Sequence, residues 1–175
     1  MLRNIYQSDM RGYLPNRMKK EFFDIMLKVM GNNPDVYLLF GDLGYPRVDE
    51  FLEKFPSNAF NVGASEQSMM DIAVGLAYEG KIPFTYTITP FYWRAAETLR
   101  TYLDHEKLPC VLIGVGVDEE YGEHDGFSHS ATDIKQLFNI LKNFNQYYPD
   151  SLEELKKSID EAIRNKEPNF INIHR

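Results

Sequence analysis

Apolar positions at helical spacing open the legible part of the chain. Phe22, Phe23, Met26, Leu27 and Met30 share one side of a helix predicted over Asn16 to Met30, and Gly31-Asn32-Asn33-Pro34 ends it. The pattern then changes: Val36-Tyr37-Leu38-Leu39-Phe40 is an unbroken apolar run stopped by Gly41, as expected of a strand covered on both faces. Further strands are predicted at Ala59 to Val62, Pro83 to Thr87, Cys110 to Val115, Asn145 to Tyr148 and Phe170 to Ile173. Helices are predicted between them at Arg47 to Lys54, Gln67 to Tyr78, Trp93 to Leu103 and Ile134 to Leu141. A last helix opens on an S-x-x-E capping box at Ser151 and Glu154 and carries the apolar stripe Leu152, Leu155, Ile159, Ala162, Ile163. This order predicts an α/β fold: a parallel sheet flanked by helices.

Length and composition make that a single domain over 1–175. With 175 residues, 43% of them hydrophobic, the chain can build one proper core and not two, and no repeat or Gly/Ser/Pro-rich linker divides it. A net charge of −7, spread along the chain, leaves no basic stripe for a phosphate backbone, so nucleic acid is not an expected partner. The one cysteine, Cys110, lies in an apolar run and reads as a core residue that cannot form an internal disulfide, which fits a cytoplasmic protein. Met1 to Leu14 lacks a signal-peptide core and no stretch approaches the ~20 apolar residues of a membrane span, so neither secretion nor insertion is expected.

In parallel α/β sheets ligands bind beyond the carboxyl ends of strands, which directs attention to four loops. These are Gly41-Asp42-Leu43-Gly44, Gly63-Ala64-Ser65-Glu66-Gln67, Thr87-Ile88-Thr89-Pro90-Phe91 and the segment Asp118 to His129. The second lacks the second glycine of a nucleophile elbow, Gly114-Val115-Gly116-Val117 lacks the third glycine of a dinucleotide loop, and no P-loop is present. His124, Asp125 and His129 in one short loop do not make a metal site; contact with a substrate is their expected use.

The run Gly63-Ala64-Ser65-Glu66-Gln67-Ser68-Met69-Met70-Asp71-Ile72-Ala73-Val74-Gly75-Leu76-Ala77 resembles the G-I-A-E-Q-N-M-x-G-I-A-A-G-L-A segment of transketolases and deoxyxylulose-phosphate synthases. The likeness extends through Glu79-Gly80-Lys81-Ile82-Pro83-Phe84, Thr89-Pro90-Phe91 and Asp125-Gly126-Phe127-Ser128-His129, covering Asp42 to Arg175. It implies the pyrimidine-binding fold of thiamin-diphosphate enzymes. By this resemblance Glu66 is the catalytic carboxyl that hydrogen-bonds N1′ of the aminopyrimidine, with Gln67 beside it on the cofactor. Partial burial beside Val62, Met69 and Met70 is expected to raise the pKa of Glu66, as proton sharing near neutral pH requires; a first-turn glutamate serving only the helix dipole is the plainer alternative. Phe91 corresponds to the aromatic stacked on the pyrimidine, and Asp42 to an aspartate near the thiazolium. Asp125 and His129 match the residues that contact sugar hydroxyls, His129 with a catalytic part. Arg94 and Arg175 match substrate-binding arginines whose forked donors suit phosphate, with Arg17 a third candidate; as surface charges they need no such role.

The resemblance also implies what this stretch does not carry. The family holds the diphosphate and its Mg2+ or Ca2+ on another domain with a G-D-G segment and a later asparagine; Gly41-Asp42-Leu43 with Asn61 departs from that pattern, so no metal site is expected here. Neither that domain nor the family's carboxyl-terminal domain is recognisable, which implies a separately encoded diphosphate-binding partner in a heterotetramer sharing thiamin diphosphate. Transfer of a ketol or acyloin unit on a sugar-like substrate is the leading activity. Val117 and Asp118 replace a substrate histidine and a phosphate-binding arginine of the family, so the substrate departs from the usual one. A beta-type component of a 2-oxoacid decarboxylase or dehydrogenase, and a non-catalytic partner of a complete transketolase, remain as alternatives.

Overall fold

The computed structural model describes the backbone of residues 3–42 and 46–175 and the side chains of residues 17–42 and 47–175. Six strands form one sheet: β1 (Val36–Phe40), β2 (Ala59–Asn61), β3 (Ile82–Ile88), β4 (Val111–Val115), β5 (Asn145–Tyr147) and β6 (Asn169–Ile173). Their order across the sheet is β2-β1-β3-β4-β6-β5, and every pairing is parallel. Each expected strand is present, with ends displaced by a residue or two.

Strand periodicity sorts the core into two layers. Val36, Leu38 and Phe40 of β1, Val111, Ile113 and Val115 of β4, and Ile171 and Ile173 of β6 pack on one face with Phe22, Phe23 and Met26 of α1 (Arg3–Asn32), Phe51 of α2 (Pro46–Lys54) and Leu155 and Ile159 of α7 (Leu152–Asn165). Leu39, Leu112 and Phe170 point to the other face, against Met69, Met70 and Ala73 of α3 (Glu66–Tyr78) and Leu137 and Phe138 of α6 (Ile134–Ile140). Phe138 stacks on Phe170 with ring centroids 3.7 Å apart, tying α6 to β6. At α7 the Ser151 hydroxyl accepts from the Glu154 amide at 3.2 Å, the N-cap half of the box read from the sequence, while the Glu154 carboxylate accepts from the Asp150 amide, one residue before the N-cap.

Three elements differ from expectation. The first helix starts at Arg3 rather than Asn16: Pro15, a residue that favours a helix's first turn, stands inside it. In place of one helix over Trp93 to Leu103, the chain winds as a 3-10 segment (Thr89–Ala95), a single α-turn, α4 (Ala96–Thr98), and a π segment (Leu99–His105). Thr89, Tyr92 and Ala95 are fully buried, and their spacing of three is the period of a 3-10 helix, which an α-helical template misses. The Asp118 to His129 loop contains two short turns, α5 (Gly122–Asp125) and a 3-10 turn (Phe127–His129).

The chain leaves β1 for β2 at the sheet edge, then returns to the far side of β1 to form β3. The connections after β1 and β3 therefore part company at the carboxyl ends, the place where such folds bind ligands. All strands being parallel, the segments after β1, β2, β3, β4 and β6 emerge along this one edge. Of the candidate residues only Arg17, on α1, lies outside them.

Candidate active site at the carboxyl edge of the sheet

Glu66 opens α3 immediately after the β2 loop, and only 2% of it is exposed. Its position in the first helical turn sets a negative charge beside unpaired helix amides, a favourable arrangement. Ser65 precedes it without capping the helix through its side chain; the Ser65 hydroxyl instead donates to Ser68 Oγ at 2.8 Å. A buried carboxylate needs a partner, and it has one: Arg94 Nη1 donates to Glu66 Oε2 at 2.7 Å. The arginine reaches in from a half-exposed position, with 49% of its side chain open to solvent.

The 3-10 segment after β3 explains how Arg94 gets there. On its buried face Thr89 Oγ1 is hydrogen-bonded to the side-chain amide of Asn172 of β6 at 2.5 Å, while the Tyr92 hydroxyl lies 2.9 Å from Thr85 Oγ1 and 3.1 Å from the Ile113 carbonyl oxygen. Burial pushes the Tyr92 phenol well above its usual pKa, so it stays a neutral hydrogen-bonding anchor. Pinning Thr89 and Tyr92 to the sheet turns Phe91 and Arg94 away from it. Three residues apart in a 3-10 helix, these two eclipse each other, and the Arg94 guanidinium lies over the Phe91 ring with Cζ 4.0 Å from its centroid. The His129 ring meets Phe91 edge to face at 5.1 Å, and His129 Nδ1 is 3.0 Å from Ser128 Oγ. Glu66, Arg94, Phe91 and His129 thus form one contiguous cluster drawn from the segments after β2, β3 and β4.

The other candidates sit around it. Gln67 donates through Nε2 to Asp71 Oδ1 (2.9 Å) and Thr98 Oγ1 (2.7 Å), a network that braces α3 against α4. Asp42 is exposed just past β1 in a left-handed conformation, with φ of 40°. Asp125 is exposed at the end of α5, its amide bonded to the Tyr121 carbonyl. Arg175 lies over the Tyr121 ring at 4.5 Å and donates through Nη1 to the Glu120 carbonyl oxygen at 3.1 Å. Arg17 is exposed on α1.

Several polar groups here had no sequence signal. Tyr92, Thr89 and Asn172 act as anchors although each reads as an ordinary member of a turn or strand. Thr87 Oγ1 is buried with no hydrogen-bond partner among the described residues, next to Gly41, where an added Cβ would come within 3.0 Å of it. Cys110 is buried as expected, and burial pushes its thiol far up, leaving it unreactive. Among the described residues no group of three His, Cys, Asp or Glu side chains could hold a metal ion, and no helix is long and apolar enough to cross a membrane.

A doubly wound parallel sheet with a buried carboxylate and an aromatic ring gathered at its carboxyl edge defines a class: an α/β domain whose candidate site lies at the switch point. The transketolase pyrimidine-binding-domain model matches residues 17–175, and the chain belongs to that family. It is 30% identical over 128 residues to one of the subunits of the apulose-4-phosphate transketolase of Actinobacillus succinogenes, covering 73% of this chain and 41% of that protein. It is 27% identical over 160 residues to a putative transketolase C-terminal section of Methanocaldococcus jannaschii, covering 90% of this chain and 50% of that protein. The chain therefore spans about half the length of these relatives or less. Among solved structures, a split-gene transketolase in an inactive beta4 tetramer superposes with a TM-score of 0.78 at 26% identity, covering 90% of this chain and 51% of the other. Campylobacter jejuni transketolase shares the fold, with a TM-score of 0.78 at 21% identity over 90% of this chain and 25% of its own.

Proposed function

We propose that the chain supplies the pyrimidine-binding half of a thiamin-diphosphate-dependent transketolase-like transferase whose diphosphate-binding half is a separate polypeptide. The observation that carries this reading is Glu66, a buried carboxylate in a first helical turn that accepts from a planar N–H donor lying over Phe91. The residues fit an aminopyrimidine: a carboxyl oxygen for the ring nitrogen and an aromatic face for the ring. When bound, thiamin diphosphate supplies a carbanion-stabilising thiazolium, which is the difficult chemistry. Glu66 holds and shares the proton at the pyrimidine's N1′, and Phe91 orients the ring. His129, braced by Ser128 and packed on Phe91, presents a donor and acceptor to a substrate hydroxyl with Asp125 nearby in sequence, while Asp42 lies at the neighbouring strand end. Gln67 acts on the site through α3, and Arg175 flanks it from the end of β6.

The partner is supported by the relatives, one a transketolase subunit and the other a C-terminal section, and by a split-gene neighbour described as inactive in its beta4 form. Phe127, 81% exposed directly before Ser128 and His129, and Trp93, 39% exposed directly before Arg94, border the cluster with apolar surface suited to a covering polypeptide. In this reading that second polypeptide holds the diphosphate with Mg2+ or Ca2+, in a heterotetramer.

The test is reconstitution. The chain alone, supplied with thiamin diphosphate and Mg2+, should not turn over ketose phosphates; with its co-purifying partner it should. Turnover by the isolated chain contradicts the two-polypeptide reading. Turnover of pyruvate and not of ketoses by the complex replaces ketol transfer with 2-oxoacid chemistry.

A further inference from the structure

The Arg94 guanidinium is a planar, delocalised cation with N–H donors on its edge. One edge nitrogen donates to Glu66 Oε2 at 2.7 Å, and the group lies over Phe91 with Cζ 4.0 Å from the ring centroid. A hydrogen bond to Glu66 and a face on Phe91 are the two contacts that the reading above assigns to the aminopyrimidine. One side chain of the protein makes both.

We infer that Arg94 is a built-in stand-in for the cofactor's aminopyrimidine, closing the site in the free chain and leaving it when the ring binds. The inference rests on the pyrimidine-site reading and gives Arg94 a role at the cofactor rather than at substrate phosphate. Three observations support it. Glu66 is almost fully buried, so without a donor its carboxylate would be stranded, and Arg94 supplies one. Arg94 is half exposed, so its guanidinium can swing into water without opening the core. The backbone that carries it is held by Thr89 and Tyr92 on the opposite face of the 3-10 segment, so the side chain can leave while the turn and Phe91 stay in place.

The exchange keeps a contact at each position: Glu66 gives up the Arg94 N–H donor and shares a proton with N1′ in its place, and Phe91 gives up the guanidinium for the pyrimidine ring. Binding must therefore displace an existing contact, which weakens the pyrimidine's grip on the free chain. This gives a reason for the chain to load its cofactor only when the partner contributes further contacts.

Titration of the free full-length chain with the pyrimidine fragment of thiamin, 4-amino-5-hydroxymethyl-2-methylpyrimidine, tests this directly. Trp93, the only tryptophan, adjoins Arg94 and reports binding by fluorescence. Arg94→Ala should bind the fragment at least ~10-fold more tightly than the wild type, a difference of about 1.4 kcal/mol. Arg94→Lys keeps a cation near Glu66 but loses the planar fork, so it should tighten binding by less. It also serves as the test variant if the alanine protein does not fold. Adding Glu66→Ala to either variant should remove the gain. Binding by the Arg94 variants that is no tighter than wild type, undetectable binding included, overturns the inference. Tightening that persists without Glu66 overturns the pyrimidine-site reading itself, and the two failures are distinct.

Discussion

Gly114, in the middle of β4, shows how closely the site's supporting turn is seated. A Cβ there would lie 2.7 Å from Thr89 Oγ1 and 3.0 Å from both the Asn172 side-chain amide and Phe170 Cε2, all interior atoms with little room to yield. Gly114→Ala should therefore cost about 1–3 kcal/mol of stability, the range of core overpacking. Chemical denaturation checks this, and an unchanged midpoint would mean that Thr89 is not locked. Because Thr89 anchors the segment bearing Phe91 and Arg94, the same variant should disturb ligand binding as well. At this scale the sequence was informative about chemistry and poor about partners. Glu66, Phe91 and His129 could be singled out from motif residues alone, and the structure brings them together. The Arg94–Glu66 pair could not, since the residues are 28 positions apart and meet only because the intervening β3 and its 3-10 turn fold back over α3.

Element by element, strands and capped helices were legible because each carries its own signal: a short apolar run for β1 and β4, or a box and a stripe for α7. The winding after β3 was not, since Thr89, Tyr92 and Ala95 follow a period of three imposed by tertiary anchors. The end of β6 offers a prediction of its own. Glu120 accepts from His174 Nδ1 at 2.7 Å and from the backbone amides of Val117 and Arg175 at 2.9 Å each, fixing the loop after β4 to the last strand. Its hydrogen bond to Glu120 raises the His174 pKa above the ordinary 6.5, against the opposing effect of burial. Burial works to raise Glu120, but its hydrogen bonds from His174, Val117 and Arg175 outweigh this and hold it below its ordinary 4.5. A raised histidine contributes fully below its unfolded value and loses that contribution as pH rises through its folded value. A lowered carboxylate contributes above its unfolded value and loses it as pH falls through the folded one. The pair's contribution therefore peaks between about pH 4.5 and 6.5. His174→Gln should cost about 1 kcal/mol in that window and progressively less as the solution becomes alkaline, since both groups are partly exposed. A pH series of thermal unfolding curves reads the difference, and a cost independent of pH would exclude the ion pair as its source.

For the molecule as a whole, the consequence of the fold is that one edge of a parallel sheet gathers residues from segments far apart in the chain. Strand order was beyond the sequence, which marks strands without their neighbours; the class of fold was within reach through helix–strand alternation. The assembled edge provides a carboxylate, a flat ring and an imidazole, bordered by exposed Phe127 and Trp93. It offers no metal-holding cluster among the described residues. Under the proposed function the cofactor is shared between polypeptides, with one end against Glu66 and the other gripped by the partner. Pull-down with the intact chain should accordingly recover a diphosphate-binding partner, and substituting Phe127 by a charged residue should weaken that recovery without unfolding the chain, because its side chain is already in water.

Activation of the cofactor by Glu66, as proposed, is tested most directly by comparing turnover of the reconstituted complex with wild-type and with Glu66→Gln chains. Glutamine keeps the size and a hydrogen bond to the ring but cannot hold the proton, so kcat should fall by at least ~100-fold, the scale of a missing acid–base group, with assembly unchanged. A Glu66→Gln complex that assembles and turns over at close to the wild-type rate would contradict it.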